Sequence, residues 1–286
     1  MNNTRLLITS FVVALLIITG AIIYATSPKN INRDRDSELA LLITPTSIAL
    51  PIQWGDLGVK MVNAGVIDSE QFIALYESRT GLTTNEMRLL ESTDNGNLVI
   101  DSKNASYILN LLWALGLSNK NPILENGPMA DPRYGGPDRF ASTAGWTLAH
   151  EDAMGHYSKH QLIALTPQQQ RLVESASKNI YRPCCDNPTH FPDCNHGMAM
   201  LGLLELMAAQ NIGEEEMYEI ALRVNSLWFQ NQYASIGQYV KAGDIVRQNM
   251  KAKQILGKDF SSANGYKQIL TQIESSKIKN NGGCAI

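Results

Sequence analysis

Nearly every long apolar segment of this chain repeats near 3.6 residues, and that period limits the folds open to it more than any other feature. Leu57, Met61, Val62, Val66 and Ile67 recur at helical spacing, with Gly65 as an interruption. Asp68 then stands as an N-cap for a helix over 69–78, and Thr83 or Thr84 caps another over 84–91. A strongly apolar helix follows over 106–117, and an apolar-periodic stretch over 146–165. Thr166 and Pro167 open an amphipathic helix to Ile180, because proline at the first helical position loses no hydrogen bond. Residues 198–210 and 214–233 read as helices, with weaker ones to about 276. Strand is confined to short pieces near 46–54 and 97–101. The expectation is a mainly α fold, multi-helix and bundle-like or orthogonal, with at most minor β.

Ahead of this domain, Leu6 to Ala25 runs for 20 residues without a charge. At about 1.5 Å per residue such a helix spans about 30 Å, the hydrocarbon thickness of a bilayer. A transmembrane anchor or uncleaved signal is expected, because the small-x-small pattern at Ile23 and Ala25 is incomplete for a cleavage site. Lys29, Arg33 and Arg35 follow it, but Asp34, Asp36 and Glu38 interleave with them, and long domains translocate largely regardless of charge. A single-pass membrane protein with its bulk outside the cytoplasm is the expected placement.

The organisation then reads as a short tail (1–5), the anchor (6–25), a tether (26–51) and a helical subdomain (52–118). A Pro/Gly-rich loop (119–145) leads to a second helical subdomain (146–276), and a polar tail (277–286) carries Cys284. The loop holds Pro122, Pro128, Pro132 and Pro137, a density of breakers that predicts no helix within it.

Chemistry concentrates in 181–200, YRPCCDNPTHFPDCNHGMAM, which holds three of the four cysteines and two of the five histidines. Pro183, Pro188 and Pro192 stiffen it between two expected helices. Cys184, Cys185, Cys194 and His196 supply soft and borderline donors for one transition metal ion, copper or zinc. His190 is a further candidate. His156 and His160, four apart and so on one face of a helix, complete the set if their segment folds back. With Asp193 or Asn195 as N-cap, Cys194 falls in the first helical turn, where free amides favour a thiolate.

Two other classes draw on the same residues. In a thiol–disulfide factor, Cys194 would be the nucleophile and Cys184 or Cys185 its partner. In a structural or interaction domain, one of the pair would bond Cys194 as a stabilising disulfide. The net charge of -3 and the lack of a basic cluster exclude an electrostatic footprint for nucleic acid. No phosphate loop, nucleotide fingerprint, catalytic triad or zincin helix is present, so hydrolytic and nucleotide chemistry have no positive support. The leading expectation is a membrane-anchored, extracytoplasmic metal-binding protein, accessory rather than catalytic.

Overall fold

The structure is a computed structural model, and it describes residue 43 and residues 45–281 apart from 80, 244 and 249. The tail at 1–5, the expected anchor at 6–25, the tether to residue 42 and Cys284 lie outside the described residues. Among the described residues, no helix is long and apolar enough to cross a membrane.

The chain runs β1 (Ser47–Gln53), α1 (Leu57–Asn63), α2 (Ser69–Glu77), α3 (Thr84–Glu91), β2 (Asn97–Asp101) and α4 (Ala105–Ser118). It continues through the short α5 (Pro122–Asn126) and α6 (Ala141–Ala144) to α7 (Pro167–Ser177), α8 (Asn195–Ala209) and α9 (Glu214–Trp228). The last elements are α10 (Gln230–Lys241), α11 (Ile245–Gln248), α12 (Ala252–Ile255), α13 (Lys258–Ser261) and α14 (Ala263–Asn281). The fold is mainly helical, as the periodicity requires, and β1 and β2 form a two-stranded antiparallel sheet. Their pairing runs from Ser47 opposite Asp101 to Ala49 opposite Val99, then slips before Gln53 meets Asn97. Local chemistry sets several helix starts. Asp68 accepts from the Gln71 amide, while Thr83 with Glu86 and Thr166 with Gln169 form capping boxes.

The core is organised around α4 and α8, both buried along most of their length. Each fully buried leucine or isoleucine on them contributes about 1.5–3 kcal/mol through removal from water. The two helices approach backbone to backbone. A Cβ on Gly116 would overlap the Met198 carbonyl, and one on Gly202 would overlap the Leu112 carbonyl. This crossing joins the helical stretches on either side of the proline-rich segment. Phe72, Tyr76 and Tyr107 pack as a trio at 5.0–5.4 Å and tie α2 to α4.

Three local expectations need correction. The segment 119–145 is not devoid of helix: Asn121 caps α5 with Pro122 at its start, and Pro128, Pro132 and Pro137 each open a single 3-10 turn. Proline there initiates turns rather than breaking them. The stretch 146–165 forms no long helix, only a 3-10 turn over Ala153–Gly155 capped by Asp152. Its backbone bonds go elsewhere: His150 N donates to Gly65 O, Ser158 N to Leu117 O, and His160 N to Ser118 O. With those groups satisfied by distant elements, a helical ladder has nothing to gain. Finally, the helix expected over 214–233 breaks at Phe229, which separates α9 from α10.

Candidate metal centre

The segment between α7 and α8 is wrapped around one side chain, Arg182, which is 1% exposed. Its Nη1 donates to Asn187 O (2.8 Å), while Nη2 donates to Phe191 O (3.3 Å) and to Asp193 Oδ1 (2.6 Å). Its Nε donates to Cys194 Sγ at 3.1 Å. Asn187 Nδ2 closes the ring on Asp193 Oδ2 at 2.7 Å. A buried cation is costly unless paired and hydrogen-bonded, so this loop is shaped by where its acceptors must sit.

Neighbouring elements hold the loop from outside. Tyr181 N donates to Leu256 O and Asn225 Nδ2 to Tyr181 O, at 2.9 and 3.0 Å. Ala263 N donates to Cys185 O, and Asn264 binds the Asp186 carboxylate through both its backbone and its amide. Ser142 N, from α6, donates to Asp193 O.

Cys194 itself is the N-cap of α8, with extended backbone and Sγ accepting from Gly197 N at 3.4 Å. The sequence points to Asp193 or Asn195 for that place; Asp193 is instead committed to Arg182. Gly197 is required by close approach, because a Cβ there would overlap the Arg182 guanidinium.

The three thiols are unbonded and converge. Cys194 Sγ lies 3.6 Å from Cys184 Sγ and 3.9 Å from Cys185 Sγ. Donation from Cys184 and Cys185, then from His196, together with the Arg182 charge, holds the Cys194 thiol far below its ordinary range, against the opposing effect of burial. Cys184 is pushed up to about 12: its contact with Cys185 pulls downward, but donation to Cys194, burial and the nearby thiolate outweigh it. Cys185 moves the same way, through donation to Cys184 and Cys194 and through burial. The centre is one thiolate served by two thiols.

His196 follows Cys194 on the first turn of α8. Its ring lies 4.4 Å from Phe229 and 5.8 Å from Trp228, so the break between α9 and α10 supplies one wall of the site. The donor atoms of Cys184, Cys194 and His196 all lie within 4.8 Å of one another, as do those of Cys185, Asp193 and Cys194. Cys194 is shared by both triads. This Cys/His cluster could hold a metal ion.

The remaining sequence candidates go elsewhere. His190 turns to α7, with its backbone N on Ser177 O (3.0 Å) and its Nδ1 3.4 Å from Ser177 Oγ. His156 and His160 pair with each other, Nδ1 to Nε2 at 2.9 Å, beside the end of α4. That end is tied to Glu205, which follows Cys194 by eleven residues and so lies roughly 16 Å along α8. Arg182, Asn187 and the role of Asp193 were not legible as site residues. The one sequence signal for them is an arginine set directly against Pro183 and the cysteine pair.

No family model, no curated protein and no solved structure matches this chain.

Proposed function

We propose that the chain is a metal-binding protein whose centre is built from Cys184, Cys185, Cys194 and His196. The observation that carries this reading is the spacing of the sulfurs. Two sulfurs bound at about 2.3 Å to a tetrahedral ion stand about 3.8 Å apart. The separations from Cys194, 3.6 and 3.9 Å, bracket that edge, and the His196 imidazole is in reach of Cys184 and Cys194. Three sulfurs with one neutral imidazole suit zinc best, with copper(I) as the competing ion. Arg182 offsets the negative charge that three thiolates would bring. Cys184 is exposed, so the centre opens to solvent at that corner and can exchange its ion with a partner. We also propose that residues 6–25 anchor the protein with its body outside the cytoplasm; a reporter fused after Ile286 should then be active only there.

The same contacts favour a second reading, thiol–disulfide exchange, since a thiolate with two thiols inside 4 Å is also poised to form a disulfide. Elemental analysis with alkylation of free thiols on the purified full chain separates the two. The metal reading expects one thiolate-bound ion per chain, three thiols protected until a chelator is added, and lower metal content and stability in Cys194→Ser. A metal-free chain in which Cys194→Ser abolishes thiol exchange would establish the second reading. No change in metal, redox behaviour or stability would defeat both.

A further inference from the structure

We infer that the protein carries a second, independent metal site at His156 and His160, selective for a divalent ion that binds imidazole and water, with His150 as its third ligand. It does not depend on the cysteine centre. The rings of His156 and His160 stack with centroids 5.2 Å apart and planes at 26°, and the facing nitrogens are separated by 2.9 Å. Imidazole nitrogens bind such ions at about 2.0–2.1 Å, so nitrogens 2.9 Å apart subtend about 90° at a shared ion. That is the cis angle of a square or octahedral site, the geometry of nickel, cobalt and five- or six-coordinate zinc rather than of a tetrahedral thiolate centre.

The pair is held in place by backbone, not by a helix. His160 N donates to Ser118 O, Lys120 N to His160 O, and Ser158 N to Leu117 O. Between the two histidines Ser158 takes φ +51°, an uncommon conformation for a residue with a side chain, and this turn is what brings the rings together. Burial above all, with Lys159 nearby, lowers the basicity of both rings. His156 is 7% exposed, and its Nε2 has no hydrogen-bond partner.

His150 supplies the third donor. Its ring borders Gly65, as does Cε1 of His156. Its side chain is 57% exposed, with Nδ1 3.4 Å from Asp68 Oδ2. A carboxylate beside Nδ1 favours a proton on that nitrogen and leaves Nε2 free to ligate. In the structure His150 stands apart from the stacked pair; its exposure lets it swing onto an ion that they hold.

Cobalt(II) distinguishes the two centres, because thiolate ligation gives an intense near-ultraviolet band and imidazole–water ligation does not. In equilibrium dialysis of the full chain, His156→Ala/His160→Ala should bind one cobalt fewer per chain with the thiolate band unchanged. Cys194→Ser should lose the band and keep the histidine-bound ion. Equal cobalt content in the native chain and the histidine variant overturns the inference, whatever the cysteines do. Should the histidine variant fail to fold, ¹⁵N-histidine spectra of the native chain decide it. Titration with zinc should shift His156 Nδ1 and His160 Nε2 together, and unmoved resonances overturn the proposal.

Discussion

Arg182 and Cys194 meet as a buried guanidinium and a thiolate, Nε donating to Sγ across 3.1 Å. Asp193 is the other anion on the same guanidinium, at 2.6 Å. Burial disfavours the arginine cation, and the charge of Cys194, its hydrogen bond with the guanidinium and the charge of Asp193 more than restore it. The two ends of the contact therefore stabilise each other's charged forms, and neither can be removed quietly.

Arg182→Met should destabilise the fold by about 3–5 kcal/mol, because Asp193 and Cys194 lose their buried counter-charge. Arg182→Lys keeps the charge but cannot reach four acceptors at once, and should recover only part of the loss. Urea denaturation measures the first effect. The pH dependence of Cys194 alkylation measures the second, with its midpoint rising in both variants.

Gly197→Ala tests the same contact without touching a charge. The added methyl overlaps the guanidinium and forces Arg182 away from Cys194. We expect reduced metal retention under chelator competition, with helical content by circular dichroism close to native. Unaltered retention would show that the arginine is a bystander to the centre.

Glu205 gives a pH prediction. Its carboxyl is fully buried and accepts from Asn119 Nδ2 at 3.0 Å and from Asn121 Nδ2. Burial pushes its pKa up to about 8 from 4.5, against the pull of Asn121 and Asn119. The folded state thus holds a proton that the unfolded chain has released. Stability from this group is full below about 4.5 and falls as pH rises to about 8. Both asparagine amides are fixed by other bonds, Asn119 Oδ1 accepting from Ile163 N and Asn121 Oδ1 from Ile123 N and Gln170 Nε2. Glu205→Gln would set an amide donor against one of these NH₂ groups. The variant should lose about 1–3 kcal/mol near neutral pH. Its melting temperature should also lose the downward slope between pH 5 and 8.

Gly202→Ala should be among the most damaging small substitutions in the chain. The new methyl lands on the Leu112 carbonyl and the Gly116 backbone, which cannot retreat without separating α4 from α8. A loss at the upper end of about 1–3 kcal/mol is expected by denaturation.

Sequence alone determined what depends on neighbours three or four residues apart. The helical period fixed the class, Asp68, Thr83 and Thr166 with Pro167 marked helix starts, and Cys184, Cys194 and His196 marked a cluster that could hold a metal ion, because capping, periodicity and short ligand spacing are local. The tertiary structure decided whatever required a distant partner. Residues 146–165 have helical periodicity, yet their amides bond to Gly65, Leu117 and Ser118, and no local pattern reports that. The same bonds pair His156 with His160 and keep both from the cysteines. Cys194 became a cap because Asp193 was drawn to Arg182, and Arg182 is buried because a single loop could surround it with four acceptors. A buried charge takes the partners that the whole fold can bring to it, and those are set by packing rather than by spacing along the chain.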